Sequence, residues 1–171
     1  MIQGKLIKWK YPVVMAPLIT VLLLADLSLY AQEMPPRPIS ITTSLVQNLS
    51  FGTFCPFSSG GSVIISSSGS RSASGNIILL ASVFSTALFY VEANPGTLVS
   101  ILNGPDVTLN GSNGGSMILH IGNSNPVSPF VIMAAPPIQT VQIGGTLTAG
   151  SLLANPPGSY SGFLSVTFIQ E

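Results

Sequence analysis

The stretch that decides the fold class lies near the C-terminal end and reads Tyr-Ser-Gly-Phe-Leu-Ser-Val-Thr-Phe over residues 160–168. Its in-phase apolar side chains share one face: Tyr160, Leu164, Val166 and Phe168. Its hydroxyl-bearing side chains share the other face: Ser161, Ser165 and Thr167. Because successive side chains of a strand point to opposite faces, this period of two predicts a β-strand with one face buried.

The same period recurs along most of the chain. Met117, Leu119 and Ile121 alternate with Ile118 and His120, and Ile39, Ile41 and Leu45 alternate with Ser40, Thr42 and Ser44. Turn-forming runs such as Asn94-Pro95-Gly96 separate these segments. About nine to eleven short strands at this spacing predict an all-β, antiparallel sandwich or barrel. No helical pattern alternates with the strands, which disfavours a parallel α/β sheet.

Several boundaries follow from the same pattern. Strands are predicted for residues 49–54 and 62–67, with a loop or long hairpin tip over 66–75. Two paired strands are predicted over residues 139–143 and 145–148, and a single last strand from Tyr160 to Phe168. The apolar stretch 77–91 is divided into strands 77–80 and 87–91, and a buried helix is the alternative there.

The first 31 residues have the order of a secretory signal peptide. Lys5, Lys8 and Lys10 precede an apolar run, and Ala31 supplies a small residue at the cleavage position. A proline-rich lead-in follows over residues 32–38, and the β-sandwich domain is expected over 39–171. The alternative is an uncleaved membrane anchor, which Pro12, Pro17 and Asp26 interrupt.

Removing the leader leaves few charges. All three lysines leave with it, and the remaining ionisable side chains of fixed sign are Arg37, Arg71, Glu33, Glu92, Asp106 and Glu171. Two arginines cannot displace the counterions of a nucleic acid or hold the chain on an anionic membrane. A surface wetted by hydroxyls and amides associates readily, which suits a protein that assembles or lies at a cell surface.

Candidate reactive groups are sparse. Cys55 is the only cysteine, and it is interpreted as a buried small apolar side chain or as one partner of an intermolecular disulfide. His120 is the only histidine, and we expect it on a strand face, satisfied by solvent or a backbone carbonyl. One histidine and one cysteine cannot build a tetrahedral zinc site. No calcium-loop spacing, phosphate loop or nucleophile elbow is present, so the sequence predicts no enzyme, cofactor or metal.

Several stretches carry a family resemblance: residues 38–41, 49–54, 61–65, 145–147, 157–162 and 166–168. Together they resemble a family of secreted bacterial domains catalogued as a domain of unknown function, which itself resembles pilin-like and spore-coat-U-like adhesin domains. The resemblance implies an immunoglobulin-like β-sandwich in the periplasm, at the cell surface or outside the cell. It implies no catalytic residues. Typical pilins hold a cysteine pair, whereas Cys55 is alone.

Three hypotheses of function remain open. The first is a secreted or cell-surface structural or adhesion subunit that pairs with itself or with other envelope proteins by strand addition, with Ile39, Ile41 and Leu45 as the pairing segment. The second is a monomeric module that binds carbohydrate or another ligand. The third, a secreted hydrolase, lacks a plausible acid pair, since only Glu92 and Asp106 lie well inside the domain.

Overall fold

The computed structural model describes residues 40–43, 47–133 and 137–171. The predicted signal peptide and proline-rich lead-in therefore lie outside the described residues. Within these ranges the chain is all-β and has no helix, and therefore no candidate membrane-spanning helix. The strands are β1 (Ser40–Thr43), β2 (Phe54–Ile65), β3 (Arg71–Leu79), β4 (Ala87–Glu92), β5 (Leu98–Asn103), β6 (Val107–Gly111), β7 (Ser116–Asn125), β8 (Phe130–Val131), β9 (Ile138–Ala149), β10 (Tyr160–Ser161) and β11 (Val166–Gln170).

Strand β9 is the centre of an eight-stranded antiparallel sheet. The sheet runs in the order β1-β4-β9-β7-β6-β10, and the β2–β3 hairpin joins it through β2 and β9. Along one edge β9 pairs with β7. Along the other edge its first half pairs with β4 and its second half with β2. Along this edge β9 thus pairs first with β4 and then with the last residues of β2, Gly61 to Ile65.

The apolar residues that alternate in the sequence form the buried face of the large sheet. Met117, Leu119 and Ile121 of β7 are buried, while Ile118 and His120 between them are exposed. Every second residue of β4 is likewise buried, and alternate residues are buried along most of β9. Burying an aliphatic side chain of this size stabilises the fold by about 1.5–3 kcal/mol, so a one-residue slip in register would be strongly disfavoured.

A second sheet, of three strands in the order β11-β5-β8, covers half of the large sheet. Side chains from both sheets form one buried cluster: Ala87, Phe89, Val91, Ala93, Val99, Ile121, Phe130, Ile132, Val141, Ile143 and Phe168. The rings of Phe89 and Phe168 meet across it, with centroids 5.4 Å apart and planes tilted by 59°. Two layers of sheet therefore enclose this part of the core.

The other half of the large sheet has a second buried cluster. Its members are Phe51, Val63, Ile65, Leu109, Met117, Leu119, Leu147 and Ala149. Among the described residues, none of these belongs to β5, β8 or β11. Phe51 and Leu164 contribute to it from loops, and strand residues of the large sheet also pack against it: Phe54, Ile77, Leu79 and Tyr160. The three-stranded sheet therefore does not contribute to this cluster, which loops and strand ends of the large sheet complete.

Three predicted boundaries at the N-terminal side need correction. Residues 49–53 form no strand beyond an isolated bridge from Ser50 to Ser85, and Phe54 begins β2. The predicted strand 62–67 is the end of the longer β2. The stretch predicted as a loop or long hairpin tip over 66–75 is the tip of the β2–β3 hairpin, but it is shorter, because the Ser66 amide donates to the Ser70 carbonyl and β3 begins at Arg71. Strand β3 lies at an edge and is largely exposed, so it shows no apolar alternation.

Two further boundaries differ near the C-terminus. The strands predicted over 139–143 and 145–148 are one strand, β9, because Gly144 and Gly145 keep negative φ and do not turn the chain. The predicted last strand is two strands in different sheets, since β10 pairs with β6 and β11 pairs with β5. In the apolar stretch 77–91 the structure has strands β3 and β4, as predicted, and the helical alternative is wrong.

Candidate functional site

Strand β1 lies at the end of the large sheet. Its four residues pair antiparallel with β4, with Ile41 opposite Val91 and Thr42 opposite Tyr90. Of the predicted pairing segment, Ile41 therefore lies in a strand of its own domain, whereas Ile39 and Leu45 lie outside the described residues. A strand at an edge carries backbone amide and carbonyl groups that can pair with another chain.

An open groove of about 590 Å³ lies over the half of the large sheet that holds the second buried cluster. Its floor is formed by side chains of the second buried cluster: Leu109, Met117, Leu119 and Leu147. One wall is the segment 49–56, and the other is the segment 155–162. Each wall combines a loop with part of a strand, since residues 54–56 begin β2 and residues 160–161 are β10. The groove is therefore the gap between these two walls, over the cluster to which the three-stranded sheet contributes no residue.

The wall at residues 155–162 is held by buried polar groups. The Asn155 side chain is almost fully buried, accepts a hydrogen bond from the Gly150 amide and donates one to the Ser116 carbonyl at 2.7 Å. The Tyr160 hydroxyl donates to the Pro156 carbonyl at 2.7 Å. Since buried polar groups are costly when unpaired, these bonds stabilise the wall and leave both side chains satisfied within the chain.

The opposite wall is held by Arg71. Its guanidinium donates to the carbonyl oxygens of Thr53 and Leu80 and lies over the ring of Phe84, 5.6 Å from the centroid. Thr53 belongs to the groove wall. Partial burial lowers the pKa of Arg71 from its usual value, through loss of solvent around the cation. The arginine therefore fixes a loop and is not available to a charged ligand.

Cys55 lines this groove. Its side chain is half-buried and its thiol is free, 3.7 Å from the Pro56 carbonyl oxygen. The expectation of a buried small apolar side chain is thus wrong, because position 55 is on the wall of a groove and not in either buried cluster.

The ionisable side chains do not converge on this groove. His120 pairs with Asp106 instead, Nδ1 to Oδ1 at 2.8 Å, and both side chains are exposed. The partner of His120 is therefore a carboxylate, where solvent or a backbone carbonyl was expected. Glu92 lies on β4, and Asp106 directly precedes β6. Strands β9 and β7 lie between β4 and β6 in the sheet, so these two acidic residues are not on neighbouring strands. Within the part of the chain that the structure describes, no three His, Cys, Asp or Glu side chains form a metal-binding group.

The sequence interpretation missed the groove. Its walls come from segments without alternation, where the pattern predicted either a strand or a turn. One signal was present: large apolar residues occur inside turn-rich segments, as Leu152 and Leu153 do before Asn155 and as Phe163 does after Gly162. An apolar side chain in such a segment either enters a core or remains exposed, and the sequence does not distinguish the two.

Comparison with known proteins gives one match. No curated protein and no solved structure matches the chain. Residues 39–169, which are most of the chain and include all but the last two described residues, match the family described as Domain of unknown function (DUF4402). The chain, with its two antiparallel sheets and its uncharged groove, belongs to the DUF4402 family.

Proposed function

We propose that this chain is a secreted or cell-surface structural subunit, an immunoglobulin-like β-sandwich of the pilin or adhesin type that assembles by exchanging its first strand. The position of β1 carries the proposal. It is the outermost strand of the large sheet, has only four residues and pairs with β4 alone. The leader over residues 1–31 and the scarcity of charge support a location in the periplasm, at the cell surface or outside the cell.

Exchange of β1 requires no new contact. If β1 leaves its own sheet, the backbone of Phe89 to Glu92 becomes an unpaired edge, and β1 of a neighbouring chain can restore the same register. The closed and exchanged states then contain the same hydrogen bonds between β1 and β4, so protein concentration decides between them. Because β1 lies near the N-terminal end of the domain, only one connection has to open.

A cysteine pair across β1 and β4 tests the exchange. In the full chain with Cys55→Ala, we expect Thr42→Cys combined with Tyr90→Cys to yield disulfide-linked dimers and larger species on non-reducing gels. The reason is that Thr42 and Tyr90 are directly opposite in register, where Cβ atoms lie about 4.5–5.5 Å apart. Thr42→Cys with Ile118→Cys is the control, since Ile118 is exposed on β7 and does not pair with β1. Cross-links confined to single chains at every concentration would contradict strand exchange.

The groove favours a second function, binding of a neutral ligand such as a carbohydrate. Its volume lies within the range of about 300–1,000 Å³ that ligand sites occupy, and Phe51, Phe54 and Tyr160 line it. On a glycan array, neutral-glycan binding by the full chain that falls at least tenfold in Tyr160→Ala would support this function. Tyr90→Ala is the control, because Tyr90 lies on β4 and does not line the groove. An array without neutral-glycan hits would leave this function without support.

A further inference from the structure

The two most exposed large apolar side chains of the described residues border the groove. Phe163 is 99% exposed and Leu153 is 93% exposed. Phe163 lies between Gly162 and Leu164, which both line the groove, and Leu153 follows Leu152, which also lines it. Two almost fully exposed apolar residues are thus chain neighbours of residues that line a recess. Isolated exposed apolar residues are ordinary, but exposed apolar residues beside a recess are candidates for an interaction site.

No charged side chain of the described residues lines the groove itself. Arg71 adjoins one wall, where its guanidinium is bonded to the carbonyl oxygens of Thr53 and Leu80. The polar side chains Asn155 and Tyr160 are already hydrogen-bonded within the chain. An apolar occupant therefore enters without leaving a buried charge or an unpaired amide behind, whereas a charged occupant would find no counter-charge.

We propose that a second copy of this chain occupies the groove, with Phe163 and Leu153 of each copy packed into the groove of the other. A surface that holds both a projection and a recess is self-complementary about a two-fold axis, which is the symmetry of most homodimers. Two neutral surfaces of this kind also meet without like-charge repulsion.

The area that two copies can bury is that of a small interface. Covering the Phe163 and Leu153 side chains removes roughly 300 Å² of surface on each copy, and the groove that receives them loses roughly 200 Å². With both copies counted, the interface reaches about 1,000 Å², at the lower limit for specific protein–protein contacts. Aromatic side chains near the centre of such an interface contribute most of its affinity, so Phe163 is the expected anchor.

This pairing does not rest on strand exchange. Exchange uses β1 and β4 at one end of the large sheet, whereas the groove lies beside β6 and β10 at the other end. Both contacts can therefore exist in the same assembly. Loss of one leaves the other intact, which allows their failures to be distinguished.

Cys55 makes the pairing testable because it is the only cysteine and lines the groove. In the full chain, we expect Leu153→Cys to form a disulfide-linked dimer in which a peptide containing Cys55 is joined to one containing position 153, identified by mass spectrometry. Adding Phe163→Ser should reduce the yield at least tenfold, since it removes the anchor. Val127→Cys is the control, because Val127 is exposed on the loop between β7 and β8 and does not line the groove.

Sedimentation of the unmodified chain gives an independent readout. We expect Phe163→Ser to weaken self-association at least tenfold and to speed alkylation of Cys55, while Val127→Ser changes neither. Phe163→Ser should also leave the Thr42–Tyr90 cross-link unchanged, which separates this interface from strand exchange. Equal association and equal Cys55 reactivity in the Phe163→Ser variant and the unmodified chain would overturn the pairing. Protection of Cys55 by a neutral glycan in a monomeric chain would overturn it too, because the groove would then have another occupant.

Discussion

Replacing Phe168 with alanine is expected to lower the free energy of unfolding by about 3–5 kcal/mol. Phe168 lies on β11 in the smaller sheet, is buried, and packs against Phe89 of the large sheet. The substitution removes most of a large apolar side chain and leaves a cavity between the two layers. It also removes an aromatic pair that contributes about 0.5–1.5 kcal/mol beyond the buried area. Because domains are stable by only about 5–15 kcal/mol, this variant should be close to unfolding.

The matched control for this substitution is its neighbour. Ile169 is 43% exposed on the outer face of the same strand, so Ile169→Ala should cost less than about 1 kcal/mol. Urea unfolding of the full chain, followed by far-ultraviolet circular dichroism, gives both midpoints. Equal destabilisation by the two substitutions would contradict the assignment of Phe168 to the core between the sheets.

Replacing Gly60 with alanine is expected to lower the free energy of unfolding by about 2–5 kcal/mol. Gly60 has a φ of +67°, in the left-handed region that side chains rarely adopt. It also lies at the bulge of β2, where an added Cβ would collide with the Ala149 carbonyl oxygen and lie 2.5 Å from the Gly150 carbonyl carbon. Neither obstacle is a flexible side chain, so the backbone of β9 would have to move.

Gly69 allows the strain of a positive φ to be measured separately from the collision of an added Cβ with the backbone. Its φ is also positive, at +84°, but nothing lies within 4 Å of an added Cβ. Gly69→Ala should therefore cost only the conformational strain, about 1–2 kcal/mol. The difference between the two variants, about 1–3 kcal/mol, measures the close approach of β2 and β9. If both variants unfold at the same denaturant concentration, that close approach does not contribute to stability.

The alternation of apolar residues was sufficient to predict most of the sheet. It was reliable for β4, β7 and the start of β9, where one face is buried and the other is not. It predicted the end of β3, where Ile77 and Leu79 pack against the second cluster, and missed residues 71–76, which are mostly exposed. It also failed for residues 49–53, where Phe51 is buried without being in a strand. Periodicity reports burial on one face, so an edge strand and a buried loop both escape it.

The alternation of apolar residues predicted only part of the candidate site, which comprises strand β1 and the groove. The segment around Ile41 was predicted to pair with another chain. The structure pairs Ser40–Thr43 with β4 of its own domain, so pairing between chains stays a prediction. The groove was not predicted. Its floor comes from three strands, and its walls come from segments about a hundred residues apart in the chain, Leu49 to Pro56 and Asn155 to Gly162.

The sequence by itself determined the all-β class, the inward faces of the long strands and the scarcity of ionisable groups, because these depend on which residue types occur and on a period of two along the chain. Tertiary structure alone decided that β9 holds β4 and β2 end to end, that the last stretch divides between two sheets, and that His120 meets Asp106. It also decided that the three-stranded sheet contributes to only one of the two buried clusters. These outcomes depend on which distant segments come together, and that choice follows from the sum of many packing contacts across the chain rather than from any local pattern.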